Sequence, residues 1–168
     1  MAIVTILSIV GALVVLRVLW WWFVGRNLPK YPPLAISDDD PKILAAQEKA
    51  RGSLSRFRSL YDAKPKESQV KIPFTTNSGQ VEHLWAEVLG FSEASVTVRY
   101  LTPPVSHTGR LERVHDHLIS DVEDWVVIDH QDQIHGGFTQ RVMFERAREE
   151  WGRLPPELEK QASRYVAQ

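Results

Sequence analysis

A run of small and polar residues at 136–141 could bind an anion. Gly136 and Gly137 precede Thr139, which is predicted to cap the start of a helix, and Arg141 falls in the first turn. The free N–H groups and positive dipole end of a helix start attract carboxylates and phosphates, and glycine lets an anion approach the backbone. Arg141 would add a charge-assisted donor. This turn is therefore the first candidate for a ligand-binding site.

Arg141 is expected to have an acidic partner, because the positive end of a helix dipole disfavours a cation. Asp121 and Asp124 are the candidates for that partner. The alternative interpretation of these residues is structural: a tight strand-to-helix turn held by an Arg–Asp pair. The sequence leaves both interpretations open.

Histidines earlier in the chain offer further chemistry. His107 and Arg110 are predicted to face the same ligand as the 136–141 turn. His115 and His117 are two residues apart, so on a strand both imidazoles point the same way and could share a metal ion. A metal site needs a coherent ligand set, and no spacing selects a third ligand among His83, His107, Glu82 and Glu112. We therefore expect no metal and no other cofactor.

A hydrolytic reaction is the alternative use of these histidines. Ser106 and His107 place a hydroxyl beside an imidazole, and His83 or His107 could act with a carboxylate such as Glu82. Adjacency in sequence does not establish the geometry of a catalytic triad, and no Gly-x-Ser-x-Gly elbow is present. The sequence assigns no catalytic residue.

The composition excludes several classes of function. The 168 residues contain no cysteine, which excludes disulfides, thiolate zinc sites and cysteine nucleophiles. The formal net charge is -1, and no acidic residue precedes Asp38, so the rest of the chain is modestly acidic. A domain of this sign lacks the electrostatic footprint of a nucleic-acid-binding protein.

The N-terminal segment, residues 1–27, is predicted to anchor the chain in a membrane. Residues 3–24 are apolar and long enough to cross a hydrocarbon core. No basic residue precedes Arg17, and no small-residue cleavage site follows, which favours a retained helix over a cleaved signal peptide. Contact with membrane lipid is therefore expected through this segment.

Three basic residues near the anchor bear on its orientation and partners. Arg26 and Lys30 follow the apolar segment, so the positive-inside rule places the domain in the cytoplasm, at the inner membrane of a bacterium. Arg17 lies within the segment and is predicted to snorkel towards the headgroups. The alternative is that Arg17 pairs with an acidic residue of another membrane protein.

A proline-rich and acidic linker, residues 28–40, leads to an amphipathic helix predicted over 41–62. Asp40 is its predicted N-cap. Basic residues recur every seventh position along this helix, at Lys42, Lys49 and Arg56. This basic flank is either a solvated face or a contact with anionic lipid or a membrane-protein partner.

The core domain, residues 68–153, is predicted to be α+β. Short β-rich runs between turn residues indicate strands over 69–74, 80–91, 95–101, 109–115 and 122–128. Consecutive short strands favour a small antiparallel, strongly curved sheet or a partly open barrel. A helix between Thr139 and Gly152 and a last helix within 154–168 would pack on this sheet.

Four short motifs occur in the core in a characteristic order. They are residues 82–88 (EHLWAEV), the pair Thr108 and Gly109, residues 121–125 (DVEDW) and residues 136–141 (GGFTQR). Together they resemble the YegJ-like bacterial family, a domain of unknown function (number 2314). The resemblance extends from Pro41 to Trp151 and leaves the N-terminal segment outside. It implies a bacterial domain that folds as a unit, and it implies no reaction, ligand or catalytic residue.

The sequence contains one helix start that is suited to binding an anion, and it contains no recognisable combination of catalytic residues. These two observations favour a non-enzymatic, membrane-anchored binding or adaptor module. The first alternative is a small hydrolase that uses a histidine and a carboxylate. The second is an accessory subunit that docks onto a membrane complex through Arg17 and the basic flank. The sequence leaves the oligomeric state open.

Overall fold

The computed structural model describes residues 31–34, 36–37 and 39–167. The chain divides into two units, Met1–Ala35 and Ile36–Gln168, and every element below belongs to the second. The predicted membrane anchor at residues 1–27 lies outside the described residues. Within the described ranges, no helix combines the length and the apolar character that a membrane crossing requires.

Two short helices open the domain where a single helix was predicted over 41–62. Helix α1 spans Pro41–Gly52 and helix α2 spans Leu54–Asp62. Asp40 caps α1 as predicted, because its carboxylate accepts a hydrogen bond of 2.8 Å from the Lys42 N–H.

The break between α1 and α2 lies at Ser53 and is tied to the sheet. The Ser53 hydroxyl donates to the Ala50 carbonyl at 2.9 Å and accepts from the Trp125 indole N–H at 3.0 Å. A serine that bonds to its own backbone competes with the helical ladder, which accounts for a break that the apolar stripe did not reveal.

Among the described residues, six antiparallel strands form one open sheet. They are β1 (Glu67–Thr75), β2 (Val81–Phe91), β3 (Ser95–Tyr100), β4 (Val114–Leu118), β5 (Asp124–Ile128) and β6 (Ile134–Gly136). Their order is β4-β3-β2-β1-β5-β6, so the sheet is not closed and β4 and β6 are its edges. The predicted α+β class and antiparallel sheet are confirmed. The sequence did not reveal β6, because three residues are too few for an alternating pattern to show.

One face of the sheet is buried beneath the helices. Alternate strand residues supply this core, and Val70, Ile72 and Val98 are fully buried within it. Phe57 of α2 stacks on Trp125 with ring centroids 5.1 Å apart. Burial of one such phenylalanine contributes about 1.5–3 kcal/mol to stability. Helix α3, Phe138–Trp151, packs beside α1.

The C-terminal residues cover one edge of the sheet. Helix α4 spans Pro156–Ala162. After it, the Ile134 N–H donates to the Arg164 carbonyl at 2.9 Å, and the Val166 N–H donates to the Ile134 carbonyl at 3.1 Å. These bonds pair residues 164–166 with β6, whereas no described strand lies along the outer edge of β4.

Candidate functional site

The two glycines of the 136–141 turn are required by close packing. Both have positive φ angles, +78° at Gly136 and +64° at Gly137, which glycine adopts without strain. A Cβ atom at Gly136 would lie 2.5 Å from the Trp125 ring and still closer to the Trp125 carbonyl oxygen. A Cβ atom at Gly137 would lie 2.5 Å from the Tyr165 ring. The glycines therefore let the turn pack against the sheet and the C-terminal segment.

The start of α3 holds a carboxylate from the same chain. The side chain of Asp124, which is fully buried, accepts from the Phe138 N–H at 3.0 Å and from the Thr139 N–H and hydroxyl, both at 2.7 Å. A fourth donor is the Trp125 N–H at 2.8 Å. Burial raises the pKa of Asp124, and the hydrogen bonds oppose this shift only in part. The helix start that was predicted to bind an anion is thus bonded to Asp124.

The predicted roles of Thr139 and Arg141 differ from their observed contacts. The N-cap of α3 is Gly137, in the left-handed conformation, and Thr139 donates to Asp124. The Arg141 guanidinium donates to the carbonyls of Gly136 at 3.0 Å and Val166 at 2.8 Å. It also lies 4.7 Å from the centroid of the Tyr165 ring. Arg141 therefore ties the turn to the C-terminal segment.

We expect Arg141→Ala to lower the free energy of unfolding by about 2–3 kcal/mol, because it removes two charge-assisted hydrogen bonds and a cation–π contact. The loss should loosen the chain after α4 in particular. Urea unfolding and limited proteolysis of the full-length chain would measure both effects. Arg148→Ala is the matched control, since Arg148 lies on the same helix in an exposed ion pair with Glu159 at 3.1 Å. An equal effect of both variants would contradict the assignment.

His107 and Arg110 lie in a loop whose observed partners belong to β1, β2 and the turn between them. The Asn77 side chain donates to the Thr108 carbonyl at 2.8 Å, and the His107 ring lies 5.8 Å from the Phe74 ring. Arg110 is exposed. The 136–141 turn instead contacts Asp124, Trp125 and the C-terminal segment, so the two halves of the predicted ligand surface have different neighbours.

Glu82 and Ser106 anchor this loop to β2. The Glu82 carboxylate accepts from the Val105 N–H at 2.8 Å, from the Ser106 N–H at 2.6 Å and from the Ser106 hydroxyl. The hydrogen bonds from Ser106 hold the pKa of Glu82 below its usual value. The Ser106 hydroxyl thus bonds to a carboxylate, which is not the serine–histidine contact that a nucleophilic serine needs.

An open cleft of about 700 Å³ lies over the sheet face that points away from α1 and α2. We call it the sheet-face cleft. Strand residues form its floor, and α4 with the residues after it forms its wall. Its polar and aromatic lining includes Gln69, His83, Trp85, Gln140, Glu157, Lys160, Gln161, Arg164 and Tyr165. The sequence did not reveal this cleft, because it depends on where α4 packs.

His83 and Glu123 form a hydrogen-bonded pair beside the cleft. The His83 Nδ1 lies 2.7 Å from a carboxylate oxygen of Glu123, which is only 8% exposed. His83 was predicted to act with a carboxylate such as Glu82. Glu82 is the neighbour of His83 on β2 and therefore points to the opposite face of the sheet. The observed partner, Glu123, is the residue just before β5. The 40-residue separation of the pair left no signal in the sequence.

The wall of the cleft is held in place by polar contacts. The Tyr165 hydroxyl donates to the Gln140 side chain at 2.6 Å, and burial raises the pKa of Tyr165, which keeps the phenol neutral. The Arg164 guanidinium donates to the Asp132 carbonyl at 2.8 Å. A hydrogen bond from Lys66 lowers the pKa of Asp132. Gln140 lies next to Arg141, so the 136–141 turn borders the cleft.

His115 and His117 project from the same face of β4, as predicted. The His115 Nε2 lies 2.6 Å from the Glu112 carbonyl oxygen, and the His117 Nε2 lies 2.7 Å from the Tyr100 hydroxyl. Burial lowers the pKa of His117 and raises the pKa of Tyr100 to about 12. Across the described residues, no group of three histidine, cysteine or acidic side chains is placed to hold a metal ion. Asp121 lies in a short 3₁₀ helix, Ile119–Asp121.

A family model described as "Uncharacterized protein conserved in bacteria (DUF2314)" matches residues 40–152. These bounds agree with the resemblance predicted from Pro41 to Trp151. The matched residues include the sheet, the 136–141 turn and Asp124, whereas α4 lies beyond them. No curated protein and no solved structure matches the chain. The chain therefore belongs to this family of uncharacterised bacterial proteins.

Proposed function

We propose that this domain is a non-enzymatic binding module, of the YegJ-like type, whose ligand-facing surface is the sheet-face cleft. The observation that carries the proposal is the cleft itself, a 700 Å³ opening between strand residues and α4. Ligand sites are typically concave, with an apolar surface and a few convergent polar groups. The 136–141 turn keeps a role in this proposal, because Gln140 belongs to both the turn and the cleft.

The contacts of the turn argue that it shapes the cleft and does not hold the ligand. Asp124 bonds to the backbone N–H groups at the start of α3, and an external anion would have to displace it. Arg141 bonds to two backbone carbonyls. Moving either group would leave buried polar atoms unpaired, at a cost of about 1–3 kcal/mol each.

The lining of the cleft indicates the chemistry of its ligand. Trp85 offers a partly exposed indole surface, which suits an aliphatic or flat group. Three glutamine side chains also line the cleft and can each donate and accept hydrogen bonds: Gln69, Gln140 and Gln161. The positive charges of Lys160 and Arg164 on the wall are partly balanced by the negative charge of Glu157. A polar ligand with an apolar part and little net charge, such as a peptide segment of a partner protein, fits this lining.

The proposal places the module at the bacterial inner membrane, with residues 1–27 as its anchor and the domain in the cytoplasm. Support comes from the sequence, where the apolar segment is followed by Arg26 and Lys30. The anchor would restrict the module to partners at or near the membrane. Arg17 and the basic flank of α1 and α2 (Lys42, Lys49 and Arg56) remain candidate contacts for such partners.

Photo-crosslinking in bacterial cells would test the binding module. p-Benzoylphenylalanine placed at Gln161 of the full-length chain lines the cleft, whereas the same probe at the exposed Met143 lies outside its lining. We expect an adduct from position 161 only, reduced about tenfold by Trp85→Ala, as the loss of about 1.4 kcal/mol of binding requires. Gln69→Ala is a second variant with less risk to folding.

Two outcomes of this experiment would contradict the proposal. One is the same adducts from positions 161 and 143, which would indicate nonspecific contact. The other is no adduct from position 161, or one that neither Trp85→Ala nor Gln69→Ala reduces. Circular dichroism of each variant would show that the fold is intact.

A small hydrolase is the second candidate, and the His83–Glu123 pair favours it. A histidine oriented by a carboxylate can act as a general base towards a group bound in the adjoining cleft. His83→Gln separates the two candidates. If the domain only binds, the variant should at most weaken the crosslinked adduct, because His83 lines the cleft. If the domain is an enzyme, it should abolish turnover of the bound molecule while an adduct still forms.

A further inference from the structure

The outer edge of β4 pairs with no described strand, and the direction of its backbone groups follows from the register with β3. The Ile119 N–H donates to the Ala94 carbonyl at 2.9 Å, and the Tyr100 N–H donates to the Arg113 carbonyl at 3.0 Å. Hydrogen-bonded pairs alternate with non-hydrogen-bonded pairs along an antiparallel ladder. The odd-numbered residues 113–119 therefore direct their backbone groups to β3. The even-numbered residues 114, 116 and 118 direct theirs outward, where the described chain supplies no strand.

The sequence of β4 is nearly symmetric about its central residue. It reads Val-His-Asp-His-Leu, with Asp116 at the centre. A second copy of β4, antiparallel and centred on Asp116, would pair Val114 with Leu118 and Asp116 with its own counterpart. Each of these is an outward-facing residue, so the pairing forms about six N–H···O bonds. This register satisfies every outward backbone group of the strand.

The same register brings the imidazoles of the two copies together. His115 would lie opposite His117 of the second copy, and both residues occupy non-hydrogen-bonded positions, where facing Cα atoms are only about 4.5 Å apart. Because the interface is isologous, His117 would likewise lie opposite His115 of the second copy. Four imidazoles would then project from one face of the joined sheet, two from each copy.

The existing hydrogen bonds prepare these imidazoles to bind a metal ion. The Glu112 carbonyl can only accept, so the Nε2 of His115 must carry the proton in its 2.6 Å contact. In the neutral ring, the lone pair then lies on Nδ1. The Nε2 of His117 contacts the Tyr100 hydroxyl, which can also accept. A ligating histidine typically donates its other N–H to such a carbonyl or hydroxyl group, which fixes the ring.

We propose that β4 pairs with β4 of a second copy about Asp116, and that His115 and His117 of both copies bind one divalent transition-metal ion such as Zn²⁺. One chain supplies two imidazoles, which is fewer than a tetrahedral zinc site needs, and the second copy supplies the other two. The pairing uses neither the sheet-face cleft nor residues 1–27. Its test is therefore independent of the test of the proposed binding function.

The metal ion is an integral part of this interface, because the pairing alone carries an unfavourable contact. Two Asp116 side chains would face each other across the strands, and like charges there are destabilising. The hydrogen-bonded position keeps their Cα atoms about 5.5 Å apart, which limits the repulsion. On the same face, the exposed side chains of Val114 and Leu118 would pack together. We therefore expect dimerisation to depend on the ion.

Single cysteines test the register, since the natural chain has none. Asp116→Cys in the full-length chain should form a disulfide dimer under dipyridyl disulfide, because its counterpart lies within the Cα range of a disulfide. Leu118→Cys should not, because the two equivalent residues would be about 13 Å apart along the strands. Equal crosslinking by both variants, or none by Asp116→Cys, would overturn the pairing.

Sedimentation of the full-length chain in detergent tests the metal ion without a cysteine present. Added Zn²⁺ should convert monomer to dimer, and EDTA should reverse the change. The double variant His115→Ala/His117→Ala should lose at least about tenfold in zinc affinity, as expected when metal-site groups are removed. His130→Ala, which changes an exposed histidine outside β4, should respond as the natural chain does. Dimerisation that ignores Zn²⁺ or survives the double variant would overturn the metal site.

Discussion

Gly136→Ala is expected to lower the free energy of unfolding by about 3–5 kcal/mol, which is a large share of the stability of a small domain. The added Cβ would lie 2.5 Å from the Trp125 ring and closer still to its carbonyl oxygen. Backbone and a fully packed indole cannot move away as a flexible side chain can. The positive φ of +78° adds about 1–2 kcal/mol of strain.

Gly79→Ala provides a control that separates the two effects. Gly79 has nearly the same positive φ, +82°, but an added Cβ there would meet nothing within 4 Å. It should therefore show the backbone strain alone, about 1–2 kcal/mol. Urea unfolding of both full-length variants would measure the difference. If the two variants were equally destabilised, the close approach of Gly136 to Trp125 would not be the reason for glycine at this position.

The sequence predicted the long strands well because burial there is regular. Val96, Val98 and Tyr100 alternate with polar residues along β3, and the predicted strand over 95–101 differs from the observed one by a single residue. An alternating pattern of this length determines which side chains face the core. The short strand β6 and the break between α1 and α2 rest on contacts with other elements, and no local pattern contains them.

The candidate site depends on a contact that local sequence rules for helix capping do not predict. Thr139 is a preferred N-cap residue and stands near a helix start, so the local rule selects it. The observed partner of that helix start is Asp124, at the beginning of a strand and 15 residues earlier. A carboxylate that reaches a helix from another element leaves no spacing signal. Asp124 was predicted to be an acidic partner of the turn, but of Arg141 and not of the backbone.

The sheet-face cleft required the tertiary structure for the same reason. Its floor comes from β1, β2, β5 and β6, and its wall comes from α4 and the residues after it. Its histidine is oriented by a contact between β2 and the residue just before β5. Alternation along β2 does not tell which face of the sheet is covered, so the sequence alone does not show whether Trp85 belongs to the core. The position of α4 decides that Trp85 lines an opening.

Asp124→Ala is expected to lower the free energy of unfolding by about 3–5 kcal/mol, because it leaves several buried donors without an acceptor. The four donors are the N–H groups of Trp125, Phe138 and Thr139 and the Thr139 hydroxyl. Asp40→Ala is the matched control, since the Asp40 carboxylate accepts from the Lys42 N–H as the cap of α1 and forms an ion pair with Arg146 at 2.7 Å. We expect a loss of about 1–2 kcal/mol from the cap and the ion pair together. Equal losses in urea unfolding would contradict a special role for the buried carboxylate.

Asp124→Asn tests the same carboxylate through the pH dependence of stability. The pKa of Asp124 is raised by burial, so the folded state binds the proton more tightly than the unfolded state. The contribution of Asp124 is then fully present below the ordinary carboxyl pKa and decreases as the pH rises through the folded-state pKa. Asparagine does not titrate, so the stability advantage of the natural chain over Asp124→Asn should shrink across that window and stay constant above it. If the stability advantage instead grew with pH, the four hydrogen bonds would lower the pKa of Asp124 by more than burial raises it, and the folded state would hold the carboxylate in its charged form.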